Sequence, residues 1–244
     1  MTMEYDENWE GIKDILVVLA HPDDPEFFLG GSIARWVAKG HHIRYLLLTK
    51  GDKGAQDGSL NFDMIIKTRI TEQRNAAKYL GVKSVKFLDY EDGYILPDLE
   101  LRKMIVREIR VVKPNILVTC DPSNLFPSKR YINHPDHRYT GQAVLDAVFP
   151  AAGNQFFFPE LIGEGYEPHE VEEVWMSLTN QPDVELEVSE DWETRLEALK
   201  KHTSQIGDPQ AFEKYMLDRL EVKENEPIKY SEKFRVIKFR RKDK

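Results

Sequence analysis

Blocks of apolar and polar residues alternate along the first half of the chain, and they have the lengths of strands and helices. Residues 14–20, DILVVLA, are almost continuously apolar and rich in β-branched side chains, which predicts a strand buried on both faces. Further strands are predicted at residues 42–49, 82–88 and 115–120. Apolar residues at helical spacing predict helices from Gly31 and Ser32 to Gly40, over 64–80 and over 99–112.

Strands and helices that alternate in this way build a parallel sheet through right-handed crossovers. We therefore predict an α/β, Rossmann-like fold with a mostly parallel sheet and helices on both faces. Beyond Pro150 a loop over 149–168 is followed by predicted strands at 171–178, 184–188 and 234–239 and by helices at 191–204 and 209–220. No polar linker separates the two parts. We expect one domain over 1–244, with a core at about 12–150 and a substrate-rim loop and C-terminal elements at 151–244.

The composition limits the kind of site that the chain can build. A chain of 244 residues can bury a sufficient core without disulfides or a structural metal, so a bound metal would serve chemistry rather than folding. The single cysteine, Cys120, excludes an internal disulfide and a cysteine-type zinc site, and it fits a reducing cytoplasm. A net charge of −8 argues against nucleic acid as a partner. We find no signal-peptide pattern and no apolar run long enough for a membrane span.

Two polar clusters follow predicted strands, and both contain histidine and aspartate. His21-Pro22-Asp23-Asp24-Pro25-Glu26 follows the first strand, and His134-Pro135-Asp136-His137 follows the fourth. Ligands of open α/β sheets bind outside the carboxyl ends of the strands, where the strand order reverses. With the strand order 3-2-1-4-5, the first and fourth strands are neighbours and the two clusters face each other.

The residue types in these clusters suit one catalytic metal ion. Such a site uses three protein ligands, and His21, one aspartate of the first cluster and one histidine of the second would supply them. Spacing alone does not decide between Asp23 and Asp24. Either cluster alone is typical of an ordinary turn in which aspartate caps backbone amides. Their pairing at two adjacent strand ends favours the metal site.

The same residues carry a family resemblance. The segment AHPDDPEFFLGGSIA, with HPDH downstream, resembles the LmbE or PIG-L family of metal-dependent N-acetyl-sugar deacetylases. Its members include deacetylases of mycothiol, bacillithiol and glycosylphosphatidylinositol synthesis and archaeal diacetylchitobiose deacetylases. Further similar segments occur in the expected order, namely LLLTKGDKG, TRITEQRNAAKYLGV, FLDYEDG, LEALKKHTSQ and YSEKFRVI.

The resemblance implies a Rossmann-like fold and a zinc centre whose ligands are His21, Asp24 and His137. Two histidines and one carboxylate also suit Fe²⁺, which some members use.

The resemblance also implies the catalytic roles. Asp23 would be the general base that takes a proton from the attacking water and passes one to the departing amine. His134, held cationic by Asp136, would stabilise the oxyanion.

Other residues are weaker candidates. Arg69, Asp52 and Asp92 are candidates for substrate binding, although Arg69 also fits a surface charge on a helix and the two aspartates also fit turns. His202 fits packing or capping as well as substrate contact. The run Phe156, Phe157 and Phe158 is too apolar for a solvated loop and suits core packing, a substrate rim or a subunit contact.

We therefore expect an enzyme that removes the acetyl group of an N-acetylglucosamine-type sugar or its glycoside, and we expect a homo-oligomer such as a trimer or hexamer. Neither the sugar and its aglycone nor the choice between zinc and iron follows from the sequence. The alternatives are a metallophosphoesterase-type hydrolase and a non-catalytic sugar- or nucleotide-binding module. A two-metal phosphatase needs more ligands than the two clusters readily provide. The absence of G-x-G-x-x-G after the first strand argues against dinucleotide binding.

Overall fold

The computed structural model describes residues 3–4, 7, 9–54, 61–220 and 227–239. In these residues an eight-stranded mixed sheet forms the centre of the molecule. Its strands are β1 (Met3–Glu4), β2 (Asp14–Leu19), β3 (His42–Thr49), β4 (Ser84–Tyr90), β5 (Ile116–Cys120), β6 (Glu173–Ser177), β7 (Val184–Glu187) and β8 (Ser231–Lys238). The spatial order is β1-β7-β8-β6-β5-β2-β3-β4. Strands β4, β3, β2, β5 and β6 are parallel neighbours, so the predicted order 3-2-1-4 of the first four long strands is confirmed.

Helices cover both faces of this sheet, as predicted for a Rossmann-like α/β fold. The helices are α1 (Asp24–Ala38), α2 (Phe62–Leu80), α3 (Leu99–Val112), α4 (Pro135–Asp146), α5 (Pro159–Gly163), α6 (Trp192–Leu199), α7 (Thr203–Ile206) and α8 (Pro209–Asp218). Alternate residues of β2 face opposite cores: Val17 packs in the core with α1 and α2, and Val18 packs in the core with α3 and α4. Both faces of β2 are therefore buried, which explains its continuous apolar sequence.

Helix α1 begins at Asp24, seven residues earlier than the sequence predicted. Pro25 occupies its first turn, where a backbone N–H has no partner within the helix, so the missing N–H of proline costs no hydrogen bond. The cluster HPDDPE is therefore part turn and part helix. The expected start at Gly31 and Ser32 corresponds to a second helical segment, because the backbone is non-helical at Leu29. The carboxylate of Glu232 in β8 accepts the N–H groups of Gly31 and Ser32 at 2.9 and 2.8 Å.

The C-terminal part of the chain extends the same sheet. Strand β6 pairs parallel with β5, and β8 pairs antiparallel with both β6 and β7. The helix predicted over 191–204 is two helices, α6 and α7, because the chain turns at His202, whose backbone is non-helical and whose side chain is fully buried. The predicted loop over 149–168 contains part of a π-helical turn, Ala147–Ala152, and the short helix α5. Among the described residues, no helix is long and apolar enough to span a bilayer.

Candidate metal and catalytic site

The two polar clusters meet at the carboxyl ends of β2 and β5. His21 and Asp23 lie in the turn between β2 and α1, and Asp24 is the first residue of α1. His134 is the N-terminal cap of α4, and His137 lies in its first turn. Because β2 and β5 are adjacent, the sheet brings together clusters that are more than 100 residues apart in sequence.

His21, Asp24 and His137 form a buried group that could hold a metal ion. One ligand atom of each lies within 4.8 Å of the others. The Asp24 carboxylate lies between the two rings, with Oδ2 3.4 Å from His21 Nδ1 and Oδ1 3.2 Å from His137 Nε2. Two imidazoles and one carboxylate are a ligand set suited to Zn²⁺ or Fe²⁺. The residues present therefore fit the metal that the resemblance implies.

The hydrogen bonds around His21 fix which of its nitrogens could bind a metal. Asp136 Oδ2 and Asp92 Oδ1 lie 3.1 and 3.2 Å from His21 Nε2. The oxygens of Asp136 also accept the backbone N–H groups of Gly93 and Ile95, so this carboxylate acts as an acceptor and the imidazole must supply the hydrogen. Nε2 is then protonated, so Nδ1, which faces Asp24, is the nitrogen left to act as a metal ligand.

Asn133 accepts a hydrogen bond from the ring of His137 and so determines which nitrogen of that ring could bind a metal. Asn133 was not among the candidates from the sequence. Its amide nitrogen donates to the Asn124 carbonyl at 2.8 Å, which turns its amide oxygen toward His137 Nδ1 at 3.1 Å. Nδ1 therefore carries the hydrogen, and Nε2 of His137 faces Asp24 with its lone pair free. The only sequence signal was a polar residue four positions before His137 and directly before the HPDH motif.

The charges around this group favour a cation. Burial lowers the pKa of His21, but the carboxylates of Asp24, Asp136 and Asp92 outweigh burial and hold that pKa well above its usual value. Burial raises the pKa of Asp24, yet the rings of His137 and His21 bring it far below its usual range. The negative potential that favours a protonated imidazole here would also favour a bound divalent cation.

A second, overlapping group consists of His21, His134 and Asp136. It would use Nε2 of His21, which is already hydrogen-bonded to Asp136. His134 is also less buried than the members of the first group. The first group therefore offers the better ligand geometry.

His134 and Asp136 contact each other differently from what the resemblance implied. The backbone N–H of Asp136 donates to His134 Nδ1 at 3.2 Å, whereas the Asp136 carboxylate bonds to His21. Burial and the nearby His21 ring lower the pKa of His134, which outweighs the opposite effect of the Asp136 charge. A neutral His134 that accepts at Nδ1 carries its hydrogen on Nε2, so it can still donate a hydrogen bond.

Asp23 lies beside the candidate ligand Asp24 but has a different environment. Its φ of 81° and ψ of −28° place it in the left-handed region, and its side chain does not cap α1. Burial raises the pKa of Asp23, Arg69 opposes that rise, and the charge of Asp24 adds to it. Arg69 Nη1 lies 3.1 Å from Asp23 Oδ2. This carboxylate can therefore hold a proton more readily than its neighbour.

The weaker candidates also lie around this site. Arg69 is buried rather than a surface charge, and it packs against Gly51, where an added Cβ would lie 2.7 Å from Arg69 Nε. Asp92 contacts His21, as described above. Asp52 accepts the backbone N–H of Asp92 at 2.9 Å and so ties the two loops together.

His202 and the phenylalanine run lie in packed positions, with one exception. His202 is fully buried and its Nε2 lies 3.2 Å from Glu26 Oε2. Phe157 and Phe158 pack against the core that contains α3 and α4, whereas Phe156 is 82% exposed.

Comparisons with known proteins identify the family to which the chain belongs. The family model "PIG-L: GlcNAc-PI de-N-acetylase" matches residues 16–148. A diacetylchitobiose deacetylase of Thermococcus kodakarensis is 33% identical over 85% of this chain and 76% of its own length. A probable N-acetyl-alpha-D-glucosaminyl L-malate deacetylase 2 of Bacillus anthracis is 28% identical over 80% of this chain and 82% of its own.

Among solved structures, the N,N'-diacetylchitobiose deacetylase from Pyrococcus horikoshii superimposes with a TM-score of 0.82 at 27% identity, covering 93% of this chain and 84% of that one. The family match spans both histidine–aspartate clusters and more than half of the chain, and it confirms the resemblance seen in the sequence. The chain belongs to the PIG-L family.

Proposed function

We propose that this chain is a metal-dependent hydrolase that removes the acetyl group from an N-acetylglucosamine-type sugar or its glycoside and releases acetate and a free amine. The observation that carries the proposal is the placement of Asp24 between two imidazoles whose free nitrogens both face it, with a second carboxylate, Asp23, next in the chain. The deacetylase names of the relatives supply the substrate class.

His21, Asp24 and His137 would hold the metal, and Zn²⁺ is the ion that their ligand chemistry suits first, with Fe²⁺ as the alternative. A divalent ion in this position supplies Lewis-acid polarisation and lowers the pKa of water. Asp136 and Asn133 orient the two imidazoles through their other nitrogens.

Asp23 acts as the general base and then as the acid. It removes a proton from the water that attacks the acetyl carbonyl carbon, and it returns a proton to the nitrogen as the C–N bond breaks. Its raised pKa suits a group that must hold a proton between two steps. Arg69, bonded to Asp23, limits that rise and holds the carboxylate in place.

His134 donates the Nε2 hydrogen to the oxygen that becomes negative during attack. A neutral imidazole performs this task because its Nδ1 is already engaged by the Asp136 N–H. We assign substrate binding to Arg69, Asp92 and, through the Asp92 loop, Asp52. The whole chain then acts as one catalytic domain, with residues 151–244 contributing to the substrate rim.

The test is acetate release by protein of known metal content from a panel of N-acetylglucosamine, its β-1,4 dimer, malyl and inositol glycosides and an N-acetylglucosaminyl lipid. We expect turnover of at least one compound with about one metal per chain, and no turnover by a matched Asp23→Asn preparation. Two metals per chain with phosphatase turnover, or acetate release that Asp23→Asn leaves unchanged, would overturn the proposal.

A further inference from the structure

Helix α2 holds both polar atoms of the peptide group that joins Pro22 to Asp23. Arg69 Nη2 donates to the Pro22 carbonyl oxygen at 2.9 Å, and Gln73 Oε1 accepts the Asp23 N–H at 2.7 Å. Arg69 and Gln73 are four residues apart and therefore lie on the same face of α2. The orientation of this one peptide plane is thus set from outside its own segment.

The peptide needs this support because Asp23 has an unfavourable backbone conformation. A left-handed φ costs a residue with a side chain roughly 1 to 2 kcal/mol. The conformation nevertheless has a use, since it directs the Asp23 side chain away from the helix cap, where no side-chain hydrogen bond forms. A peptide that turned to a relaxed conformation would carry the Asp23 carboxylate to another position.

The amide of Gln73 cannot reverse its ends. Its Nε2 donates to both oxygens of Glu26 at 3.0 and 3.1 Å, and Glu26 also receives hydrogen bonds from His202 and Tyr45. A carboxylate with these donors has to face the NH₂ end of Gln73, so the oxygen end is left for Asp23. All four of these side chains are at most 2% exposed.

We infer that Gln73 is a positioning residue for Asp23 and that Glu26 fixes the direction of its amide. The inference rests on the proposed role of Asp23 as the general base. Gln73 is fully buried and its described hydrogen bonds join it to Glu26 and to the Asp23 N–H, so its effect on the site passes through the Asp23 peptide. Neither Gln73 nor Glu26 was a candidate in the sequence, because their roles depend on contacts between α1 and α2 that are 47 residues apart.

The test exchanges the two side chains. Gln73→Glu alone places a second carboxylate against Glu26 and removes the donor between them. Repulsion between the two buried charges then displaces the oxygen that accepts the Asp23 N–H. Gln73→Glu combined with Glu26→Gln restores the balance of charge with the amide and the carboxylate interchanged. The new carboxylate accepts from the Asp23 N–H and from the new amide, and the oxygen of that amide accepts from His202. The Tyr45 hydroxyl, which donates to Glu26 in the wild type, then accepts from the amide instead. Gln142→Glu is the control, since Gln142 is an exposed helical glutamine that bonds to Asp146 far from Asp23 in sequence.

Each variant is assayed for kcat and KM of acetate release, for metal content, for thermal stability and for the hydrogen-exchange rate of the Asp23 amide by NMR. We expect Gln73→Glu to lower kcat about 10- to 100-fold with little change in KM or metal content, and to accelerate exchange of the Asp23 amide. The double variant should recover kcat to within about threefold of the wild type and restore slow exchange. Gln142→Glu should match the wild type.

Two results would overturn the positioning role: wild-type kcat and Asp23 exchange in Gln73→Glu, or a double variant that regains thermal stability but neither kcat nor slow exchange. The amide exchange also separates this inference from the proposed function. A wild-type protein without deacetylase turnover would refute the proposed function, while the exchange rates of the three variants would still test whether Gln73 holds the Asp23 peptide.

Discussion

The carboxylate of Asp136 lies 3.1 Å from Nε2 of His21 and joins the second histidine–aspartate cluster to the first. Its oxygens also accept two backbone N–H groups from the loop after β4, at Gly93 and Ile95. A carboxylate that accepts from a ligating imidazole orients the ring and raises its basicity. We therefore propose that Asp136 supports His21 as a metal ligand.

Asp136→Asn should weaken metal binding by about 10- to 100-fold. The asparagine keeps one acceptor oxygen and has an NH₂ group in place of the other. It therefore cannot accept hydrogen bonds from the His21 ring, the Gly93 N–H and the Ile95 N–H at the same time. Zinc affinity measured by competition with a chromophoric chelator tests this, with Asp218→Asn, an exposed helical aspartate, as the control. An unchanged affinity would show that Asp136 does not support His21.

His137→Ala should leave the protein unable to retain the metal after dialysis. The variant removes one of the three proposed ligands. Asn133→Ala leaves the ring of His137 but removes its hydrogen-bond acceptor, so it should weaken binding by only about 10- to 100-fold. Elemental analysis of both dialysed proteins compares them with the wild type. Full metal content in His137→Ala would refute its role as a ligand.

Asp23→Asn should abolish turnover and leave the metal bound, because the substitution removes the proton acceptor but no ligand. Asp24→Asn is the matched comparison at the neighbouring position, and it should lose the metal. Acetate release and metal content are measured on the same preparations. Loss of metal from Asp23→Asn, with retention in Asp24→Asn, would mean that the two aspartates have exchanged roles.

His134→Ala should lower the rate of the chemical step by roughly 10²- to 10³-fold, since one hydrogen bond to the developing oxyanion is lost. Metal affinity should change little, because the ring is not one of the three proposed ligands. Single-turnover kinetics with metal-saturated enzyme give the chemical rate directly. A wild-type rate would remove His134 from the mechanism.

Glu232→Ala should destabilise the fold by roughly 2 to 4 kcal/mol, because it leaves the buried N–H groups of Gly31 and Ser32 unpaired. Glu193→Ala, an exposed glutamate of α6, should stay within about 0.5 kcal/mol of the wild type. Urea unfolding followed by circular dichroism measures both. Equal stability of the two variants would show that Glu232 does not cap the second segment of α1.

Much of this architecture follows from the sequence because its causes are local. The period of apolar residues places the long strands of the first half and helices α2 and α3, and the carboxyl ends of β2 and β5 bring His21 and His137 together. The predicted start of α1 was wrong because Pro25 and the acidic residues around it are typical both of a loop turn and of the first turn of a helix.

The supporting residues were missed for a different reason. Asn133, Gln73 and Glu26 are polar side chains without a motif of their own, and their partners are fixed only when helices and strands meet. The direction of an amide depends on every neighbour of both its ends, which is information that spacing along one segment does not contain. The contact between Asp136 and His21, 115 residues apart, belongs to the same class.

The cap that Glu232 provides spans about 200 residues of chain, from β8 to the middle of α1. The helix that begins with the candidate ligand Asp24 is therefore complete only when β8, a strand about 200 residues later in the chain, has joined the sheet. Contacts of such long sequence separation form late and slow the folding of a domain. We expect a nascent chain that ends before β8 to bind metal poorly, so that the candidate metal site is assembled only after β8 has been synthesised.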